Sequence, residues 1–112
     1  MIRILGCAAL LALAPLPALA QDYVGTWASQ PAQCRNGQEV EEAPLVMKRN
    51  CYDQHETHCM FSSVSKRGAA WAVKSRCQVE GTNVASDFTM QVRGATLTMT
   101  DKMGARALQR CP

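Results

Sequence analysis

The sequence is poor in aromatic residues and has no run of basic ones. Phe, Trp and Tyr make up 5% of the 112 residues, and the 12 Lys and Arg residues are scattered along the chain. Proteins that bind nucleic acids or anionic membranes usually cluster basic residues on one face, often with aromatic residues between them. The net charge is only +3 and no such cluster exists, so we predict no nucleic-acid partner.

After residue 20, the sequence also lacks an apolar stretch near the roughly 18 residues that a membrane-spanning helix needs. Residues 1–20 do contain an apolar stretch, which follows a positively charged start and is broken by two prolines. It ends in Ala18-Leu19-Ala20, a small-x-small pattern typical of signal-peptide cleavage. We therefore predict a cleaved signal peptide over residues 1–20, no membrane span, and a periplasmic or secreted protein.

The remaining residues, 21–112, are enough for a single small domain. A core of this size is usually supplemented by covalent links. Removal of Cys7 from the six cysteines would leave five in an oxidising compartment, and an odd number leaves one cysteine without a partner in the chain. The five are Cys34, Cys51, Cys59, Cys77 and Cys111.

From residue 57 onward, apolar and polar residues alternate as they do in β-strands that cover a core. Alternating segments over residues 70–80, 84–92 and 95–100 are separated by short turns that contain Gly, and a last strand ends near Cys111. Such a pattern is typical of an antiparallel meander. We predict an all-β fold: an up-and-down meander that closes into a barrel or a strongly curved sheet.

The turns predict which residues face each other. A first hairpin centred on Gly68, a second on 81–82 and a third on 93–94 place apolar residues opposite apolar residues. The predicted pairs are Cys59 with Cys77 and Ser63 with Val73, then Val73 with Met90 and Trp71 with Val92, then Met90 with Leu97 and Phe88 with Met99. Directly opposed residues have Cα atoms about 4.5 to 5.5 Å apart, which suits a disulfide. A Cys59–Cys77 bridge is therefore predicted.

The second bridge is chosen from the three other cysteines. The first strand and the last strand are neighbours in a closed sheet, and this favours Cys34–Cys111. Cys51 is then left unpaired or bridges two chains, so the protein is predicted to be a monomer, or a dimer if Cys51 pairs between chains. The competing bridge, Cys51–Cys59, would leave Cys77 buried without a partner.

The segment CYDQHETHC, residues 51–59, is the main candidate for metal chemistry. Cys51, His55, His58 and Cys59 are residue types that bind zinc, but the two histidines are three residues apart rather than the four of the zinc-peptidase motif. Cys59 also has a predicted disulfide partner. We therefore predict a polar loop with exposed histidines and no metal or cofactor, and keep a metal-binding protein using His55, His58 and Cys51 or Met60 as the alternative.

The methionines raise the same question, because thioethers suit Cu(I). Met90 and Met99 lie where the alternation requires core residues, and Met commonly fills gaps in cores. Core packing is therefore predicted for both, and Met103 is the third candidate copper ligand.

Gly25-Thr26-Trp27 at the head of the meander resembles the G-x-W motif of lipocalin-like (calycin) barrels. That resemblance implies that Trp27 plugs one end of the barrel and that an Arg of the last strand, Arg110 or Arg106, packs over it. Trp71 is placed on the core face by the alternation. The chain is shorter than that family, so eight long strands around a deep cavity are not expected.

Two other kinds of barrel share this start. Bacterial periplasmic protease inhibitors are similar in length, export and disulfide use, but only Gln21 and Asp22 precede Tyr23 in the predicted mature chain, so we do not expect inhibition by an N-terminal segment. Avidin-type barrels line their pocket with several tryptophans, whereas this chain has two.

These patterns favour a non-catalytic binding protein. Its partner would be a protein, such as a lytic enzyme, or a small apolar ligand, bound beside the long loop over residues 29–44. An enzyme is not predicted, because no convergent base, nucleophile and oxyanion donors can be identified.

Overall fold

The computed structural model describes residues 22–112, which form a closed barrel of eight antiparallel strands. The strands are β1 (Gly25–Ala28), β2 (Leu45–Met47), β3 (Cys51–Gln54), β4 (Thr57–Arg67), β5 (Ala70–Val79), β6 (Thr82–Arg93), β7 (Thr96–Asp101) and β8 (Gly104–Arg110). A 3-10 helix, Pro31–Arg35, lies in the connection between β1 and β2. The predicted signal peptide lies outside the described residues.

Each strand pairs with the next one in sequence, and β1 pairs with β8 to close the barrel. The all-β meander predicted from the alternating pattern is confirmed. Eight strands fit into so short a chain because β1, β2 and β3 have only four, three and four residues.

The core lies inside the barrel and is built from the inward-facing positions of the strands. Its buried residues include Trp27, Leu45, Val73, Leu97 and Leu108. Met90 and Met99 are 1% and 6% exposed, which confirms the prediction that they pack in the core. Trp71 is half-buried and packs against this cluster.

The β4–β5 hairpin has the predicted register at one end only. Cys59 faces Cys77 as predicted, but Val73 faces Val64 rather than Ser63. The turn lies between Arg67 and Ala70, and a β-bulge after Phe61 shifts the pairing by one residue. A bulge inserts one extra residue into one strand, so pairs on either side of it cannot share one register.

The predicted registers of the next two hairpins are wrong by two residues. Val73 faces Phe88 rather than Met90, and Met90 faces Met99 rather than Leu97. In the β5–β6 hairpin, the turn residues are Glu80 and Gly81, whose φ angles of 52° and 87° are those of the type I′ turn preferred in two-residue hairpins. The residues facing the core remain the predicted ones, because a shift of two residues keeps every side chain on its face.

Both predicted disulfides are present. Cys59–Cys77 joins directly opposed residues of β4 and β5, and Cys34–Cys111 joins the 3-10 helix to the residue after β8. The second bridge forms because β1 and β8 are neighbours, as the closed sheet predicted.

Cys51 requires a correction. It was predicted to be the unpaired cysteine, but it is disulfide-bonded in the 112-residue chain, and its partner is not among the described residues. The prediction counted cysteines only after removal of residues 1–20. The state of Cys51 in that shorter chain, and a dimer formed through it, stay predictions.

The up-and-down order gives the barrel two different ends. The β2–β3, β4–β5 and β6–β7 turns lie at one end, together with Tyr23; we call it the closed end. The β3–β4, β5–β6 and β7–β8 turns lie at the other, which we call the open end. Within residues 22–112, no helix is long and apolar enough to cross a membrane.

Candidate ligand pocket at the open end of the barrel

Strand β8 carries two arginines, Arg106 near the open end of the barrel and Arg110 near the closed end. Leu108 is buried in the core, and side chains two residues apart share a face of a strand. Arg106 and Arg110 therefore lie on the inner face with Leu108 between them. The resemblance left open which of the two packs over Trp27, and the structure answers this.

Arg110 is the arginine that packs over Trp27, with its guanidinium carbon 4.2 Å from the ring centroid. It also donates hydrogen bonds to the carbonyls of Val24 at 3.2 Å and Asp22 at 3.1 Å. Gly25 has φ of +153°, and a Cβ there would lie 2.6 Å from Nη1 of Arg110. The Gly of the G-x-W motif thus leaves room for the arginine.

Two further polar groups of the closed end, on Trp27 and Tyr23, are partnered as well. Trp27 donates from Nε1 to the carbonyl of Tyr23 at 3.0 Å, and the Tyr23 hydroxyl donates to the carbonyl of Arg49 at 2.9 Å. The Tyr23 ring packs edge-on against Trp71, with 5.0 Å between centroids. Trp27 and Arg110 therefore fill this end of the barrel, and Trp71 packs against the core beside them.

The open end holds a pocket of about 270 Å³. Its apolar wall is made by Phe88 and Met99, and Tyr52, Ser86, Asp101 and Arg106 add polar groups. The rings of Tyr52, Phe61 and Phe88 pack edge to face at centroid distances of 5.8 to 6.3 Å. Ligand pockets commonly combine such an apolar wall with a few polar groups.

Tyr52 is the most informative residue of the pocket. It is 8% exposed, yet its hydroxyl makes no hydrogen bond to any residue in the part of the chain that the structure describes. Burial raises the pKa of this phenol; the charge of Arg106 acts to lower it and that of Asp101 to raise it. The hydroxyl is therefore a neutral donor on the charged side of the pocket. Buried polar groups without a partner are rare in native proteins.

Arg106 and Asp101 bring opposite charges to the same pocket. Neither forms an ion pair with the other, or with any other residue in the range 22–112, within 4.0 Å. Arg106 makes only long contacts, of 3.5 Å to Oε1 of Gln54 and 4.0 Å to Sδ of Met99. A carboxylate oxygen of Asp101 accepts from the backbone N–H of Met103 at 2.8 Å. Both charged groups can therefore still bind a ligand.

The open end also carries exposed apolar side chains. Val79, Val84 and Met103 are 38%, 41% and 87% exposed. Val79 and Val84 flank the β5–β6 turn, and Met103 lies in the β7–β8 turn and lines the pocket. We call these three residues the apolar rim.

The predicted metal candidates do not converge. His55 lies in the β3–β4 turn with φ of 56°, and its Nδ1 is 3.0 Å from the carbonyl of Gln38. Nδ1 of His58 is instead 2.7 Å from a carboxylate oxygen of Asp53, on the neighbouring strand. Among residues 22–112, no three His, Cys, Asp or Glu side chains are grouped closely enough to hold a metal ion. The metal-binding alternative stays a prediction, tested by metal analysis of protein purified without an affinity tag.

Tyr52, Asp101 and the role of Arg106 in the pocket were missed in the sequence. The order of strands and turns along the sequence could have predicted them, because it determines at which end of the barrel each residue lies. Tyr52 lies opposite Cys59, a residue already predicted to face inward. Asp101 is the last residue of β7, directly before the β7–β8 turn, which an up-and-down barrel places at the same end as the β5–β6 turn.

The fold and the pocket together define the class of the protein: a closed, disulfide-linked antiparallel barrel with one plugged end and one pocket-bearing end. Comparison with known proteins adds no narrower family. No family model, curated protein or solved structure gives a significant match to this chain.

Proposed function

We propose that this protein is an exported, non-catalytic binding protein that takes a small ligand at the open end of its barrel. The observation that carries the proposal is the Tyr52 hydroxyl, which is buried in the pocket wall without a hydrogen-bond partner among the described residues. Because Tyr52 lines the pocket, a ligand oxygen bound there can accept this hydrogen bond, a contact worth about 0.5 to 1.5 kcal/mol.

The lipocalin-like resemblance supports the same proposal. The Trp27 and Arg110 contact at the closed end is the one the resemblance implies. The opposite end of the barrel is then the natural place for a ligand. The pocket volume of about 270 Å³ lies just below the usual range of about 300 to 1,000 Å³, which fits the short strands and favours a molecule much smaller than a lipid.

A variant that fills the pocket tests the proposal. Ser86 lines the pocket, and no side-chain hydrogen bond of its own is lost on substitution. Ser86→Trp places a ring in the pocket, whereas Ser86→Ala, the matched control, leaves it open. In NMR titrations with a panel of small metabolites, we expect ligand-dependent shifts at Tyr52 and Phe88 in the Ala variant and none in the Trp variant.

The indole signals of Trp27 and Trp71 serve as an internal reference, because both lie at the closed end. Shifts confined to those indoles would contradict the proposed site. A panel in which no compound moves the Tyr52 and Phe88 signals at millimolar concentration would contradict the proposal as a whole.

The apolar rim favours a second candidate, a protein partner such as a lytic enzyme that covers the open end. Exposed apolar side chains grouped at one end of a small protein often belong to an interaction surface. For this candidate, Val84→Asp/Met103→Asp should abolish inhibition of a peptidoglycan-degrading enzyme, whereas Lys74→Asp, on the barrel side, should not.

A further inference from the structure

The pocket at the open end contains a positive and a negative group that do not neutralise each other. Arg106 and Asp101 both line it, and neither has an ion-pair partner within 4.0 Å in the described chain. Both charges are near enough to the Tyr52 hydroxyl to act on its pKa. Three polar groups of different character therefore surround one small space.

This combination disfavours ligands with a single charge. A simple anion attracted by Arg106 would be repelled by Asp101, and a simple cation attracted by Asp101 would be repelled by Arg106. A molecule with both charges can satisfy both side chains, and its anionic oxygens can also accept a hydrogen bond from Tyr52. Arginine recognises carboxylates well, because its planar group offers paired donors.

The apolar wall and the volume limit the rest of the molecule. Phe88 and Met99 are 6% exposed each and offer a ring face and a thioether for packing. The volume of about 270 Å³ corresponds to about nine waters at roughly 30 Å³ each. Covalently bonded atoms lie closer together than waters, so a compact molecule of about a dozen non-hydrogen atoms fits.

We infer that the pocket takes a small zwitterion with an apolar body, of the size and chemistry of an apolar α-amino acid. The carboxylate binds Arg106 and the Tyr52 hydroxyl, the ammonium group binds Asp101, and the side chain packs on Phe88 and Met99. This inference rests on the proposed function and narrows it to one ligand class.

Three probes that share one body test the inference. L-phenylalanine carries both charges, 3-phenylpropionate lacks the ammonium group, and 2-phenylethylamine lacks the carboxylate. In NMR titrations of the full exported protein at one ionic strength, we expect L-phenylalanine to bind at least about tenfold more tightly than either of the others, the effect of one well-placed charged contact.

Variants test which residue contacts which group. Arg106→Gln should lower the affinity for L-phenylalanine and for 3-phenylpropionate alike, by about tenfold. Asp101→Asn should weaken the binding of L-phenylalanine, because it removes the partner of the ammonium group. It should strengthen the binding of 3-phenylpropionate, because it removes the repulsion between two carboxylates. Arg67→Gln and Asp87→Asn, which make the same charge changes outside the pocket, are the matched controls and should change no affinity more than about twofold.

Equal binding of 3-phenylpropionate and L-phenylalanine would overturn the inference, as would an Asp101→Asn variant that binds all three probes as the parent does. If none of the three binds, but another small molecule gives shifts that Ser86→Trp abolishes, the inference fails and the proposed function survives. If no small molecule of any class moves the pocket signals, both fail.

Discussion

Each end of the barrel carries one buried tyrosine and one arginine from β8, but the hydrogen bonds and contacts of these residues differ between the two ends. At the closed end, the Tyr23 hydroxyl donates to the Arg49 carbonyl, and Arg110 lies over Trp27 while donating to two backbone carbonyls. At the open end, the Tyr52 hydroxyl has no partner among the described residues, and Arg106 makes only long contacts, at 3.5 Å to Gln54 and 4.0 Å to Met99.

The difference indicates that the closed end contributes mainly to the stability of the fold and the open end to ligand binding. Polar groups that are satisfied inside the protein stabilise the fold, whereas unsatisfied buried groups destabilise it and are found where a ligand or a function requires them. The same residue types can therefore have opposite effects in one small barrel. Substitutions made in pairs, one at each end, can test this comparison directly.

The largest expected effects come from the two disulfides. Cys34–Cys111 has a sequence separation of 77 and lies beside Arg110, and Cys59–Cys77 has a sequence separation of 18 and lies next to Tyr52. On the loop-entropy estimate, Cys34→Ser/Cys111→Ser should lower the free energy of unfolding by about 4 kcal/mol and Cys59→Ala/Cys77→Ala by about 3 kcal/mol. Urea unfolding measures both.

Ligand affinity distinguishes the two bridges further. Removal of Cys59–Cys77 should also weaken binding at the open end, because Cys59 pairs with Tyr52, whereas the Cys34–Cys111 variant should bind normally as long as it is folded. If the affinities change in the reverse order, the assignment of binding to the open end is wrong.

The second comparison uses the two arginines. Arg110→Gln should lower the free energy of unfolding by about 2 kcal/mol, because it removes the cation–π contact with Trp27 and two hydrogen bonds. Arg106→Gln should change it by less than about 0.5 kcal/mol, as is usual for an exposed side chain with weak contacts. Similar losses for the two variants would contradict the difference between the ends.

The two tyrosines give the third comparison, and here the sign should reverse. Tyr23→Phe loses a hydrogen bond and should cost about 1 kcal/mol. Tyr52→Phe removes a buried hydroxyl without a partner and should leave stability unchanged or raise it by up to about 1 kcal/mol, while weakening ligand binding. Thermal unfolding measured with and without ligand gives both quantities, and a destabilised Tyr52→Phe variant would show that its hydroxyl is satisfied.

Much of the barrel could be predicted from the sequence, because strand alternation has only two faces. Val73, Phe88, Met90 and Met99 were placed inward correctly even where their predicted partners were wrong, since a register error of two residues keeps the face. The partners depended on which two residues form each turn and on a bulge after Phe61. Neither leaves a clear local signal.

The pocket was harder to predict for a different reason. Arg106 and Arg110 have the same residue type and the same inward-facing parity, so the alternation alone cannot tell the arginine that plugs the barrel from the one in the pocket. Tyr52 belongs to a strand of four residues, too short for a reliable alternating pattern. The paired strands β1 and β8 supply the missing information, because they bring Trp27 opposite Arg110.

The smallest expected effect is the response to alkaline pH. Burial raises the pKa of both Tyr23 and Tyr52 above the ordinary value of 10.0, so the unfolded chain loses these protons first. The stability linked to each phenol is fully present below pH 10 and is lost as the pH rises from there through the raised pKa. Urea unfolding between pH 8 and about 11 should show a steeper decline for the parent protein than for Tyr52→Phe or Tyr23→Phe. Arg106→Gln should extend the decline due to Tyr52 to higher pH and make its total larger, because the arginine charge lowers the folded-state pKa of Tyr52 whereas the onset is set by the unfolded chain. The decline due to Tyr23 should stay unchanged. An Arg106→Gln profile identical to that of the parent protein would mean that Arg106 does not act on the Tyr52 hydroxyl. The assignment of both groups to one polar side of the pocket would then be wrong.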